Sequence, residues 1–115
     1  MHELSIALSV LDIVRDTAAA NGLASVGTVR LRVGSATGVD SESLRFAFEC
    51  SRAGTPAAGA ELVIERVAVG GSCRSCSRDF TVEERYVLAC PLCGGADFAI
   101  TRGDELQVVD LEGDE

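Results

Sequence analysis

Two closely spaced pairs of cysteines constrain this chain more than any other feature of its sequence. Cys73 and Cys76 form one C-x2-C pair, and Cys90 and Cys93 form a second, with thirteen residues between the pairs. Each pair places two sulfurs on one tight turn, so two facing pairs present four thiolates at the corners of a tetrahedron. That arrangement is the geometry of a closed structural zinc site. The sequence therefore predicts a bound tetrahedral metal with these four cysteines as ligands, and zinc is the expected ion.

The residues around the second pair favour a metal-binding turn over a disulfide. Pro91 fixes φ after the first ligand, and Gly94 can adopt a positive φ just past the second. Cysteines this close in one turn bridge each other poorly, and no signal peptide suggests secretion. Similar turns hold iron in rubredoxin-like proteins, so an electron carrier is an alternative.

The charge of the chain limits the classes of function. The net charge is −8, and none of the ten basic residues is a lysine, which argues against a phosphate backbone as the main partner. Arg74, Arg78 and Arg85 lie near the ligands in sequence and are expected to offset the negative charge that four thiolates leave on Zn(II). The alternative for these arginines is a nucleic-acid face, as in a zinc-ribbon adaptor protein.

A closed four-sulfur site leaves no position for a reactive water. The chain also has a single histidine and no nucleophile or carboxylate set placed beside a histidine base, so it is predicted not to be an enzyme. No apolar run reaches transmembrane length. The paired cysteines are therefore expected to be reduced metal ligands in the cytoplasm.

The first three residues offer a second kind of metal site. The α-amine of Met1, the backbone nitrogen of His2 and the His2 imidazole can all reach one ion, and three nitrogens in a plane suit Ni(II) or Cu(II). The fourth planar position stays open for Glu3, for water or for a ligand from a partner. The alternative is a solvated histidine at a frayed terminus.

A strand, helix and strand are expected after a first helix and ahead of the cysteines, which suggests a right-handed crossover with a parallel pair. The expected elements are a helix at 3–20, a half-buried strand at 25–33, a loop at 34–38, a helix at 41–52 capped by Asp40 or Ser41, and a strand at 61–69. Arg30 and Arg32 are expected on a solvated sheet face. Cys50, in the last turn of the second helix, is interpreted as a small core residue.

The cysteines are expected to lie in a small β module inserted into that first domain. Residues 80–82 and 86–89 are predicted to form a hairpin that turns at 83–85, and 98–101 a strand that closes the ribbon. Residues 106–111 are predicted to form a last strand that returns to the first sheet. The end, 112–115, is expected to be a solvated acidic tail.

Several stretches taken together resemble one family, the HypA/HybF hydrogenase-maturation nickel metallochaperones. They are MHELSIALSVLDIV, FAFE, GTPAAGAELVIERV, YVLACPLCGG and GDELQVVDLE, and the resemblance runs over nearly the whole chain. It implies an α+β fold of two helices packed on a three-stranded mixed sheet with an inserted zinc-ribbon module. The implied domains are a nickel-binding α/β domain at 1–69 plus 104–115 and a zinc-ribbon domain at 70–103.

The resemblance also implies a function and its site residues. Ni(II) is the transient cargo, bound by His2 with the Met1 amine and Glu3 as neighbours, and structural Zn(II) is held by Cys73, Cys76, Cys90 and Cys93. The implied partners are a HypB-type nickel GTPase and the [NiFe]-hydrogenase large subunit that receives the nickel. Neither nucleic acid nor a membrane segment is expected.

Overall fold

Two helices follow from apolar stripes in the first half of the chain. The structure is a computed structural model that describes residues 3–114. Helix α1 spans Glu3–Ala20 and helix α2 spans Ser41–Ser51, as the spacing predicts to within one residue. Asp40 caps α2, since its carboxylate accepts hydrogen bonds from the Glu42 N–H and the Ser43 hydroxyl.

Six strands form two three-stranded sheets, one with the order β2-β1-β6 and one with the order β4-β3-β5. The strands are β1 Ser25–Gly34, β2 Glu61–Val67, β3 Val69–Cys73, β4 Asp79–Val82, β5 Phe98–Arg102 and β6 Leu106–Asp114. The first sheet is mixed, and both pairings of the second are antiparallel. The fold class implied by the resemblance, two helices with a three-stranded mixed sheet and an inserted ribbon, is confirmed.

The chain divides into two compact units. The first contains the residues up to Arg32, Val39–Glu65 and the residues from Gln107 onward, and the second contains Val33–Gly38 and Arg66–Leu106. The domain bounds expected from the sequence, 1–69 plus 104–115 and 70–103, stay a prediction. Residues 33–38, which the sequence did not associate with the ribbon, belong to the second unit.

The core of the first unit is aliphatic apart from one ring, that of Phe48, which is fully buried. Helix α1 contributes six buried side chains to it: Ile6, Ala7, Val10, Leu11, Val14 and Ala18. Val26, Val29 and Leu31 of β1 and Leu44 of α2 are buried in the same unit. This packing explains why a chain with few aromatic residues can still form a core.

The predicted acidic tail is wrong for the residues that the structure describes, because β6 continues to Asp114. The Ala24 N–H donates to the Asp114 carbonyl, and the Arg30 guanidinium pairs with both Asp110 and Glu112. Opposite charges on neighbouring strands stabilise a sheet by up to about 1 kcal/mol each. Arg30 therefore lies on an exposed sheet face, as expected. Its ion pairs with Asp110 and Glu112 hold the end of β6 beside β1, so β6 continues beyond its apolar part. Glu115 lies outside the described residues.

The predicted ribbon hairpin is also wrong. Residues 86–89 form no strand, and β4 pairs instead with β3, with Gly71 opposite Phe80 and Val69 opposite Val82. The predicted strand 61–69 ends at Val67, and Val69 begins β3. A Cβ on Gly71 would lie 2.2 Å from the Ala99 carbonyl oxygen, so only a glycine allows β3 and β5 to approach this closely.

Two smaller expectations differ from the structure as well. Cys50 is exposed rather than buried, because it lies on the face of α2 opposite Leu44 and Phe48. The expected loop at 34–38 contains a short 3-10 helix, Ser35–Thr37.

Candidate metal centre

The four predicted cysteine ligands come together in the second unit. The Sγ atoms of Cys73, Cys76, Cys90 and Cys93 all lie within 4.8 Å of one another. Across the two pairs, Cys73 Sγ is 3.6 Å from Cys93 Sγ, and Cys76 Sγ is 3.9 Å from Cys90 Sγ. A tetrahedral zinc with Zn–S bonds of about 2.3 Å separates its sulfurs by about 3.8 Å. The sulfur positions therefore fit one four-coordinate zinc ion.

The two cysteine turns repeat one backbone pattern. The Cys73 N–H donates to the Arg78 carbonyl at 2.9 Å, and the Cys90 N–H donates to the Gly95 carbonyl at 2.8 Å. The residue after the second cysteine has a left-handed φ in both turns, 58° at Ser77 and 76° at Gly94. The positive φ predicted at Gly94 is confirmed. The same conformation at Ser77 was not predicted, because serine rarely adopts it.

Backbone amides point at the sulfurs and favour their ionised form. The Leu92 N–H lies 3.4 Å from Cys90 Sγ, and the Gly95 N–H lies 3.4 Å from Cys93 Sγ. Burial raises the pKa of Cys90, but the Leu92 and Cys93 amides outweigh it and lower that pKa. Donors aimed at a thiolate are typical of turns that bind metal through sulfur.

The thiols of Cys76 and Cys93 compete for ionisation, because the neighbouring thiols favour the thiolate of Cys76 and oppose that of Cys93. Burial raises the pKa of Cys76, but the backbone and side chain of Arg78 outweigh it and lower the pKa to about 7. The Gly95 N–H favours the thiolate of Cys93, but the neighbouring thiols and burial raise its pKa to about 11. A divalent metal removes this competition, because it deprotonates every coordinated thiol.

The three arginines expected near the ligands differ in their surroundings. Arg78 lowers the pKa of Cys76, whereas Arg74 pairs with Asp97 at 2.9 Å. The Arg85 guanidinium donates to the Ala36 carbonyl at 3.2 Å and lies 5.0 Å from the centre of the Tyr86 ring. The compensation of negative charge predicted for three arginines therefore applies to Arg78.

An aromatic cluster that the sequence did not predict packs against the ligand cysteines. Phe80 and Phe98 meet edge to face with ring centroids 5.8 Å apart, and Phe80 is buried together with Cys73 and Cys90. Phe80, on β4, belongs to the same buried cluster as Cys73 and Cys90, and Phe98 lies opposite Cys73 on β5. The signal in the sequence was an aromatic residue in each short strand that flanks the cysteine turns.

The predicted nickel ligands are only partly within the described residues. Met1 and His2 lie outside them, and Glu3 is the first residue of α1. Glu3 Oε2 accepts a hydrogen bond of 3.1 Å from the Asp40 N–H, and this bond lowers the pKa of the Glu3 carboxyl. Glu3 thus ties the first turn of α1 to the capping residue of α2, a contact that the sequence did not reveal.

Within residues 3–114, neither helix combines the length and the apolar character that crossing a bilayer requires.

Comparisons with known proteins agree with this architecture. A family model described as "Hydrogenase/urease nickel incorporation, metallochaperone, hypA" matches residues 1–113. The hydrogenase maturation factor HypA of Methylocella silvestris is 43% identical over 112 residues, which cover 97% of this chain and 98% of that relative. The HypA of Chloroflexus aurantiacus strain J-10-fl is 42% identical with the same coverage. The solution structure of the Ni metallochaperone HypA from Helicobacter pylori aligns with a TM-score of 0.70 at 26% identity, over 99% of this chain and 98% of that one.

Proposed function

Because the chain belongs to the HypA family of hydrogenase and urease nickel-incorporation metallochaperones, we propose that it binds Ni(II) at its N-terminus and delivers it to the [NiFe]-hydrogenase large subunit during maturation. The observation that carries the proposal is the family match over residues 1–113, which includes the Met1-His2-Glu3 terminus. In this scheme nickel is cargo, and the protein must both hold it and release it.

The proposed nickel site uses nitrogen ligands at the very start of the chain. His2 supplies its imidazole and backbone nitrogen, and Met1 supplies the α-amine, which together occupy three positions of a planar Ni(II). Glu3 lies next to them, with one carboxylate oxygen bonded to the Asp40 N–H and a second oxygen that can face the metal. A site with three protein nitrogens and one exchangeable position can pass its ion to a receiver by ligand exchange.

The proposed role of the four cysteines is structural. Cys73, Cys76, Cys90 and Cys93 hold Zn(II) with sulfur separations that match a tetrahedral ion. Zinc bound there ties the end of β3 to the turn at 90–93, which joins segments far apart in the chain. A colourless protein with one zinc per chain supports this role, and a reddish ferric chromophore would instead support an electron carrier.

The proposed partners are a HypB-type nickel GTPase and the hydrogenase large subunit, in the cytoplasm. With a net charge of −8, the protein is suited to a metal cation or a basic protein surface as partner rather than to nucleic acid. We assign it no catalytic role, since four sulfurs complete the coordination of a tetrahedral zinc.

Isothermal titration with Ni(II) tests the nickel site. The His2→Ala variant, and a variant with four glycines added ahead of Met1, should each bind nickel at least about tenfold more weakly, because the first removes the imidazole and the second moves the α-amine out of chelating reach of His2. Ser9→Ala, on the exposed face of α1, is the matched control and should bind nickel normally. All variants should keep their zinc. Unchanged nickel affinity in both His2→Ala and the extended protein would overturn the proposal.

A further inference from the structure

The four cysteines of the metal centre differ greatly in their exposure to solvent. Cys73 and Cys90 are only 3% and 2% exposed, and Cys76 is half-buried. Cys93 is exposed. The ligands of a tetrahedral zinc site with one exposed cysteine do not react evenly, because attack by an external reagent requires a path to the ligand.

The local packing explains why Cys93 is the open one. The cluster of Phe80 and Phe98 packs against Cys73 and Cys90 and also takes in Cys76, and Cys93 lies outside it. Leu92, just before Cys93, is 46% exposed. On the other side, Gly94 has no neighbouring atom within 4 Å of the position that a Cβ would occupy. Cys93 therefore lies at the exposed edge of the second turn.

We propose that Cys93 is a modification site of the zinc-loaded protein, the cysteine that reacts first with hydroperoxides and other soft electrophiles, and that the sulfenic acid left by a hydroperoxide then forms a disulfide with Cys73. This inference rests on the zinc-binding part of the proposed function. A bound zinc holds all four cysteines as thiolates, so access decides which of them reacts. Cys73 is the resolving residue because its sulfur lies 3.6 Å from that of Cys93, in direct contact, within a cluster whose four sulfurs all lie within 4.8 Å of one another.

The chemistry balances with a hydroperoxide as the two-electron oxidant. The Cys93 thiolate attacks the terminal peroxide oxygen, the O–O bond breaks, Cys93 becomes a sulfenic acid, and the peroxide leaves as an alcohol, or as water from hydrogen peroxide, after taking up a proton. The Cys73 thiolate then attacks the sulfenic sulfur. The S–S bond forms, the S–O bond breaks, and the departing hydroxide takes up a proton to become water. The disulfide would leave two of the four sulfurs free to hold zinc, so the protein would release the ion.

The consequence is an oxidant-sensitive zinc module. Cys73 ends β3, the central strand of the second sheet, and Cys93 lies on the turn that follows residues without regular structure. A disulfide between them keeps these two segments covalently joined after the zinc has left. Reduction by a thiol would restore both ligands, so the modification is reversible.

Site mapping on the full-length protein tests the proposal. The Cys50→Ser background removes the exposed cysteine outside the metal centre. Metal analysis first establishes one zinc per chain; a protein without zinc overturns both this inference and the structural role proposed above. The loaded protein is then treated with N-ethylmaleimide or hydrogen peroxide, with zinc release followed by a chromogenic chelator and the modified cysteines located by peptide mass spectrometry.

We expect N-ethylmaleimide to label Cys93 roughly tenfold or more faster than any other zinc ligand. We expect the product of the hydrogen peroxide reaction to contain the Cys73–Cys93 disulfide and no zinc. The proposal would be overturned if Cys76 were labelled first, if all four ligands were labelled at equal rates, or if the disulfide formed within one turn. None of these results would contradict zinc binding itself. This mapping uses unaltered ligands, so its result does not depend on any ligand variant.

A matched pair of ligand variants gives an independent check. Cys93→His and Cys76→His each leave a set of three cysteines and one histidine, which binds structural zinc. Peroxide-driven zinc release should slow by roughly tenfold or more in Cys93→His and keep its rate in Cys76→His. Equal rates in the two variants would contradict the assignment of Cys93.

Discussion

Ser77 occupies in the first cysteine turn the backbone position that Gly94 occupies in the second. Both residues have a left-handed φ, 58° and 76°, and both follow the second cysteine of their pair. Glycine adopts this conformation without strain, whereas a residue with a Cβ is destabilised in it by about 1 kcal/mol or more. The first turn is therefore strained at a point where the second is not.

The Ser77→Gly variant should make the zinc-loaded ribbon more stable by about 1 kcal/mol, because it removes that strain. Urea-induced zinc release, followed with a chromogenic chelator, measures the change. The reciprocal variant Gly94→Ser is the control. No atom within 4 Å would crowd its Cβ, so it should lose a similar amount through conformation alone. A Ser77→Gly protein that releases zinc earlier in urea than the wild type would contradict this account of the turn.

Glu3 provides a pH-dependent contact between the two helices. The Asp40 N–H lowers the pKa of the Glu3 carboxyl below its ordinary value of 4.5. A lowered pKa means that the ionised carboxylate stabilises the folded state above pH 4.5, and that this contribution disappears as the pH falls through the lowered value. Glu3→Gln should thus be less stable than wild type near neutral pH and equally stable in strong acid.

Thermal unfolding of the wild type and Glu3→Gln at a series of pH values measures that difference. Asp16→Asn removes an exposed carboxylate from the same helix and controls for the loss of a negative charge. A stability difference that persists unchanged below the lowered pKa of Glu3 would show that the hydrogen bond from Asp40 is not its cause.

At the scale of elements, the helices were predictable and the ribbon pairing was not. The helices are long, their apolar residues recur at helical spacing, and Gly22, at φ 66°, follows the end of α1 where a stop was predicted. In the ribbon, β4 has only four residues, and its partner β3 contains Gly70 and Gly71, which look like a loop in sequence. Residues 86–89 have β-type composition but no strand partner among the described residues. Pairing in so short a sheet depends on contacts distant in sequence, which local patterns do not reveal.

The four cysteine ligands could be predicted from the sequence, whereas the hydrogen bond between Asp40 and Glu3 could not. The C-x2-C spacing alone located all four sulfurs of the candidate zinc site, because the chemistry of the turn is local. The bond from Asp40 to Glu3 spans 37 residues, and no spacing rule connects them. The exposure of Cys50 could have been predicted, since it lies four residues after the exposed Phe46 and away from the buried stripe of α2.

The Gly71→Ala variant tests the importance of β3 as the central strand. Its Cβ would meet the Ala99 carbonyl oxygen at 2.2 Å, a backbone atom that can move only if β3 and β5 separate. The expected loss of stability is about 2 kcal/mol or more in the ribbon. Gly27→Ala in β1 is the matched control, because no atom lies within 4 Å of its Cβ position, and it should be close to neutral. Similar effects of the two variants on zinc release in urea would contradict the close approach of β3 and β5.

At the scale of the whole molecule, the two compact units depend on different sources of stability. The first unit buries side chains from both helices and from β1 and β2, and none of its buried residues is a cysteine. Among the described residues of the second unit, the buried apolar side chains other than cysteines are Val33, Val69 and Phe80. A unit of about 50 residues with so small a core requires a metal or a disulfide to fold. Structural zinc, with an apparent binding free energy of about 10–16 kcal/mol, is large enough to supply what the core lacks.

Removal of the zinc should therefore unfold the second unit and leave the first one folded. With a strong chelator, or in the Cys73→Ser variant, the amides of β3, β4 and β5 should lose protection against hydrogen exchange, since these strands pair only with one another in the second sheet. The amides of α1 and α2 should keep their protection, because none of the four zinc ligands lies in either helix. Cys50→Ser, which alters the cysteine outside the metal centre, should exchange like the wild type throughout. Loss of protection in α1 together with the ribbon would show that the zinc stabilises the whole chain as one cooperative unit. Retained protection in β3 would show that the second sheet stays folded without metal.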